Sequence, residues 1–194
     1  MLTVTPLAIP EVRVIETRRF GDDRGYFTEI FNAARFAEAG LPTEWVQDNQ
    51  SLSAAVGTLR GLHYQQPPFA QAKLVRVVQG AILDVAVDIR RGSPTYGSWV
   101  SRELSAAAVD QLLVPEGFAH GFVTREPDTI VLYKVSAPYS GEHDRSIRFD
   151  DPEIGVDWGL GGREPHVSLK DAEAPSFADS DHDFAYRPSE PQEA

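Results

Sequence analysis

The stretch Val75 to Arg91, VRVVQGAILDVAVDIRR, decides the fold. Val75-Arg76-Val77 alternates apolar with charged. Ile82 to Ile89 (ILDVAVDI) alternates or runs apolar and is rich in β-branched residues. A period of two with β-branched enrichment is the mark of strands. Gln79-Gly80 lies between the two runs and reads as a hairpin turn. Arg91-Gly92-Ser93-Pro94 breaks the chain after the second run.

The pattern continues outward in both directions. Downstream come Gly97 to Arg102 (GSWVSR), Gln111 to Val114 (QLLV), Gly121 to Thr124 (GFVT) and Thr129 to Val135 (TIVLYKV). These are short strands with Gly, Pro and Asp between them, as in an antiparallel sandwich or barrel. Upstream, Glu11 to Thr17 (EVRVIET) alternates and reads as a strand whose edge is open to pairing. Ala33 to Ala39 is the one convincing helix, with Asn32 as N-cap, Gly40 as C-cap and Pro42 as stop. From about Pro175 the chain is rich in Pro, Asp, Ser and Glu. Phe177, Phe184 and Tyr186 are expected to pin part of this segment to the barrel, and 188–194 is read as a flexible tail.

The chain has 194 residues, of which 42% are hydrophobic. That is enough for one buried core, so 1–187 is read as a single domain. No apolar run approaches the ~20 residues of a membrane span. Met1 to Pro10 lacks a basic stretch followed by an apolar one, so it does not read as a secretory signal. There is no cysteine. That excludes disulfides, thiolate nucleophiles and zinc–sulfur sites, and it fits a cytoplasmic location. The net charge is −11 and no basic patch gathers, which argues against nucleic acid as a partner. A phosphorylated small molecule needs only a few cations in one cleft. Arg24, Arg60, Lys73 and Lys170 stand out because each sits beside aromatic, His or Asp residues.

Four segments carry chemistry. Gln47 to Lys73 holds Gln47, Asn49, Arg60, His63 and Lys73, and alternation puts Gln47 with Asn49, and His63 with Gln65, on one face. Polar residues of five types in a strand-rich stretch point to a barrel interior. Pro115 to Phe122 (PEGFAHGF) sets His120 after a Pro/Gly turn, where a histidine is ordinarily a satisfied core or turn residue. Tyr133 to Tyr139 (YKVSAPY) gives two phenols near a strand end, and tyrosines there are usually packing anchors. Ser168 to Asp171 (SLKD) is, alone, an ordinary polar turn.

Taken together and in order, these segments resemble one family. Asp23 to Glu29 (DRGYFTE), Gln47-Asp48-Asn49, Arg60 to Gln65 (RGLHYQ), Gln71 to Val75 (QAKLV), Asp84 to Arg90 (DVAVDIR), Pro115 to Phe122, Tyr133 with Tyr139, and Ser168 to Asp171 are similar to the motifs of the dTDP-4-dehydrorhamnose 3,5-epimerases. The resemblance covers about residues 8 to 187. It implies an all-β, cupin-type jelly-roll barrel or sandwich with one or a few short helices. It also implies a homodimer, a nucleotide-diphospho-sugar substrate (a deoxythymidine diphosphate 4-keto-6-deoxy sugar), and no metal or cofactor. It casts His63 as general base, Asp171 as its orienting partner, Tyr133 as proton donor and Lys73 as enolate stabiliser. It assigns ligand contacts to Arg24, Glu29, Gln47, Asp48, Asn49, Arg60, His120 and Lys170, with Tyr139 stacking on the base. With the open strand edge of Glu11 to Thr17 paired in a dimer, Arg24 and Phe27 just beyond it are expected to reach a partner's ligand. The chain departs from the family where Gly141 follows Tyr139-Ser140, where Asp144 stands for a Glu, and where Phe149 stands for a Trp.

The chemistry agrees with these roles. A ketone at C4 acidifies the hydrogens on C3 and C5, and removing one leaves an enolate that a cation at O4 stabilises, as Lys73 would. Inversion requires a base and an acid on opposite faces of the ring. Histidine suits the base, and a carboxylate on its second nitrogen fixes the tautomer. Arginines suit a pyrophosphate because guanidinium holds two oxygens in parallel. The rival readings are a metal-dependent cupin oxygenase, a non-catalytic sugar-nucleotide binding module, and an enzyme acting at C3 only, at C5 only, or as a keto-sugar isomerase. The first wants a His-x-His pair, but His63-Tyr64-Gln65 supplies one His, and the ammonium of Lys73 cannot ligate.

Overall fold

The structure is a computed structural model that describes residues 2–188. Strands are numbered in chain order. A six-stranded sheet runs in the order β1 (Leu2–Pro6), β2 (Arg13–Thr17), β11 (Gln111–Val114), β7 (Lys73–Gln79), β13 (Thr129–Val135), β5 (Gln47–Ser53). A five-stranded sheet runs β10 (Trp99–Ser105), β8 (Ala81–Asp88), β12 (Phe118–Thr124), β6 (Leu59–Gln65), β14 (Asp144–Ser146). Every pairing within these two sheets is antiparallel. Two small ribbons complete the set: β3 (Arg19–Asp22) with β4 (Gly25–Thr28), and β9 (Arg90–Arg91) with β15 (Phe184–Ala185).

Period-two alternation sorts the side chains into layers. Val75, Val77 and Val131 from the larger sheet meet Ile82, Ala86, Val100 and Phe122 from the smaller one in the inner core. The other face of β8 gives Leu83, Val85 and Val87 to a second cluster, which Ile154, Trp158, Phe177 and Phe184 cover. β8 is therefore apolar on both faces, and its sequence runs rather than alternates. The outer face of the larger sheet carries Ile15, Leu74 and Leu113 under Phe36 and Leu41. Phe177 and Phe184 thus bind the C-terminal segment to the barrel as expected, and Tyr186 lies against the Arg90 guanidinium.

The all-β expectation holds, with three corrections to detail. β7 and β8 do not pair: they belong to different sheets. Gly80, at φ +77°, turns the chain from one sheet to the other, and a Cβ there would lie 2.3 Å from Thr129 Oγ1. A tight Gln-Gly turn between two apolar runs has the same composition whether the runs pair or cross over. The second correction concerns Glu11 to Thr17. Its strand is β2, which is flanked by β1 and β11, so β1 takes the edge. The third concerns helices. α1 (Ala33–Glu38) has Asn32 as N-cap, but its C-cap is Ala39, and Gly40 follows at φ +64°. The polar turn at Ser168 is itself a short helix, α2 (Leu169–Ala172), capped by Ser168. The expected flexibility of the last residues falls on 189–194, which lie outside the described residues.

Candidate active site

Where the inner core gives way at one end of the sandwich, polar side chains from both sheets line a cavity of about 480 Å³. Its wall includes Arg60 and His63 on β6, His120 on β12, Lys73 on β7, Tyr133 on β13, and Lys170 and Asp171 on α2. A hollow of about 370 Å³ shares His63, Lys73, Tyr133 and Lys170 with it and adds Gln47, Asn49, Tyr139 and Asp144. Volumes of this order suit a ligand the size of a nucleotide sugar.

His63 sits directly opposite His120 in the β6–β12 register. Those strands approach closely beside it: a Cβ on Gly61 would fall 2.5 Å from Gly121 Cα. His63 Nε2 lies 2.6 Å from Asp171 Oδ1. The N-terminal cap of α2 aims that carboxylate, because the Asp171 backbone N–H donates to Ser168 Oγ at 3.1 Å. Burial pushes the Asp171 carboxyl up. The hydrogen bonds from His63 and Ser168 and the charge of Lys170 outweigh burial and hold it below the usual carboxylate range. Asp171 is therefore ionised, and the proton of the imidazole is drawn to Nε2. Nδ1 is left as the basic nitrogen.

Lys73 and Tyr133 approach from the other sheet. Lys73 is buried and donates to the His63 carbonyl oxygen at 3.2 Å. Burial lowers its pKa to about 8, opposed by the carboxylates of Asp84 and Asp144. Burial raises the Tyr133 phenol, so it keeps its proton at neutral pH. His120 Nε2 lies 2.7 Å from Asp84 Oδ1. Arg60 is held by Ser53 Oγ and the Leu52 carbonyl. Across the hollow, the Tyr139 backbone N–H donates to Gln47 Oε1 at 3.0 Å. Asp144 takes hydrogen bonds from Lys170 and from Tyr139.

Four expected contacts lie elsewhere in the fold. β5 alternates, so Gln47, Asn49 and Ser51 line the cavities while Asp48 points outward to Lys134 at 2.9 Å. Arg24 and Phe27 stand on the exposed β3–β4 ribbon, Arg24 paired with Asp22. Glu29 is paired with Arg35 at 2.8 Å and bonded to Asn32. None of these four lines the cavity within this protomer. Conversely, Ser51, His166 and Val167 line it without being expected there, and Phe122 and Ser168 do so as members of the Pro115 to Phe122 and Ser168 to Asp171 motifs. Ser51 was within reach by stepping two residues on from Asn49. His166 and Val167 carry no local signal, because the parallel bridge of His166 to Thr58 is what brings them in. Among the described residues, no three His, Cys, Asp or Glu side chains stand together to hold a metal ion. Among the described residues no helix is long and apolar enough to cross a membrane.

A jelly-roll interior with a histidine on one sheet paired to a helix-borne aspartate, and a buried lysine and phenol on the other sheet, defines an acid–base isomerase of the cupin type. A family model described as dTDP-4-dehydrorhamnose 3,5-epimerase matches residues 6–179. The chain is 54% identical to an enzyme of that name from Sinorhizobium fredii, over 93% of this chain and 92% of the relative. The fold is similar to that of the Bacillus anthracis dTDP-4-dehydrorhamnose 3,5-epimerase with TDP and PPi bound. There the TM-score is 0.87 at 46% identity, covering 91% of this chain and 99% of the other. It is equally similar to the Legionella pneumophila dTDP-6-deoxy-D-glucose-3,5-epimerase in complex with dTDP-4-keto-L-rhamnose. That comparison gives a TM-score of 0.87 at 42% identity, covering 92% and 94%. The chain belongs to the dTDP-4-dehydrorhamnose 3,5-epimerase family.

Proposed function

We propose that this enzyme epimerises a dTDP-4-keto-6-deoxy-hexose at C3 and C5, by proton removal and return through an enolate, without metal or cofactor. The observation that carries the assignment is the division of acid and base between facing sheets. His63 stands on β6 of one sheet, Tyr133 on β13 of the other, and both line one cavity. A ring held between them is open to a base on one face and an acid on the other, as inversion requires. His63 Nδ1 takes the C3 or C5 proton while Asp171 stabilises the imidazolium. The Lys73 ammonium faces the charge that develops on O4. Tyr133 returns a proton to the opposite face. Arg60 and Lys170 bind the diphosphate, Gln47 and Asn49 contact the ligand, and Tyr139 stacks on the base. The names and bound ligands of the relatives support the substrate class.

The active form in this reading is a homodimer in the cytoplasm. Phe20, Tyr26 and Phe27 on the β3–β4 ribbon are all more than half exposed, an unusual concentration of aromatic surface on one hairpin. A second copy would cover it and bring Arg24 and Phe27 to the neighbouring cavity. The test is incubation with dTDP-4-keto-6-deoxyglucose in deuterium oxide, followed by NMR of the product. Label and inversion at both C3 and C5 are expected. Label at one centre only makes it a mono-epimerase, and an unchanged sugar contradicts the proposal.

A further inference from the structure

The carboxylate of Asp84 has no part in that scheme. On β8, Ile82 and Ala86 pack in the inner core, and Asp84 stands between them on the same side, 0% exposed. Its Oδ1 is 2.7 Å from His120 Nε2, and its Oδ2 is buried with no hydrogen-bond partner among the described residues. A carboxylate in an apolar interior is strongly unfavourable unless cations face it. The groups at hand are the His120 imidazole on β12, which burial holds below the usual histidine range, and the Lys73 ammonium on β7, and both line the cavity.

We propose that Asp84 is a positioning residue that holds His120 by Nε2 and keeps Lys73 as an ammonium beside the reacting carbonyl. The proposal rests on reading the cavity as a keto-sugar epimerase site. The carboxylates of Asp84 on β8 and Asp144 on β14 favour the Lys73 ammonium and the charge of Lys170 on α2 opposes it, while Asp84 favours charge on His120 and Lys73 and His63 on β6 oppose it. Asp144 already accepts from Lys170 and Tyr139. Asp84 keeps one carboxylate oxygen, Oδ2, that no hydrogen bond engages among the described residues. It makes the site differ from a single His–Asp pair. His63 with Asp171 handles the carbon-bound proton. His120 with Asp84 lies one strand away, sets the charge opposite O4 and leaves His120 Nδ1 for the cavity.

The chain has three lysines, Lys73, Lys134 and Lys170, so NMR of lysine-labelled protein can follow the Lys73 amine by itself. In Asp84→Asn the Lys73 titration midpoint is expected to fall by about one unit or more. The alkaline limb of kcat should move with it, which lowers kcat about fivefold or more at pH 8 and much less at pH 6, with KM little changed. A purely structural role would lower the yield of folded enzyme without moving either midpoint. Independently of any variant, imidazole nitrogen spectra of the wild-type protein should show His120 as the Nε2–H tautomer. An unmoved Lys73 midpoint in Asp84→Asn, or an Nδ1–H tautomer of His120 in the wild type, overturns the proposal. Both readings are made without substrate, so they are separable from a failure of the epimerase assignment, which appears as absent deuterium exchange in the wild-type enzyme.

Discussion

His63 and Asp171 are 108 positions apart in sequence, yet Nε2 of the first lies 2.6 Å from Oδ1 of the second. The contact joins a strand of the smaller sheet to a capped turn of helix, and it leaves one imidazole nitrogen free to act on the ligand. Asp171→Asn keeps the shape and removes the charge. The amide is free to donate to Nε2 and stabilise the wrong tautomer. We predict that kcat falls on the order of a hundredfold while KM changes little. The ionised carboxylate also stabilises the fold, because its folded pKa lies below its ordinary 3.8. That contribution is present above the carboxylate range and is lost as pH falls through the folded value. Urea unfolding should therefore separate variant from wild type at pH 7 and bring them together at strongly acidic pH. Equal kcat values would remove Asp171 from the mechanism.

Tyr133→Phe removes the acid and keeps the base. The prediction is a split: solvent deuterium still enters on the original face, but the centre fails to invert. NMR of recovered sugar reads both outcomes. Normal inversion in this variant would show that the second proton comes from another group.

Arg60 lines the cavity, whereas Arg24 would reach a ligand only across the proposed dimer. Each arginine-to-Ala change is predicted to raise KM about tenfold or more with kcat largely kept, since a charge-assisted hydrogen bond is worth roughly 1.5–3 kcal/mol. Light scattering should give twice the chain mass at micromolar concentration. A monomer mass, or a normal KM in Arg24→Ala, would contradict the composite site.

The pKa of Lys73, about 8, sets an alkaline limit. Above it the ammonium proposed to face O4 loses its proton, so kcat should decline as pH rises through about 8. Tyr133 is raised by burial and does not titrate there. Lys73→Gln should be slower by about a hundredfold or more and should lack this limb. A limb that survives in Lys73→Gln belongs to some other group.

Much of this was legible in the residues, and the failures have physical causes. Period two identified the strands and put Gln47 with Asn49 inside. The same rule excludes Asp48, which only the family motif had drawn into the site. The β7–β8 turn was misread as a hairpin because partner choice is made by the sheets and not by Gln79-Gly80. Glu29 is assigned by resemblance, and Arg24 and Phe27 are expected at a partner's ligand; all three lie away from the cavity of their own protomer. His166, Val167 and the Asp84–His120 contact arise from strand order and a late loop. No short window of sequence contains them.

The central claim is that His63 removes a carbon-bound proton. It is tested most directly by following deuterium from solvent into dTDP-4-keto-6-deoxyglucose with wild-type enzyme and with His63→Ala. The account predicts washing-in at C3 and C5 with the wild type. His63→Ala should slow it about a thousandfold or more while nucleotide-sugar binding and thermal unfolding stay near wild type. Wild-type exchange by His63→Ala, or loss of exchange, binding and folding together, would contradict it.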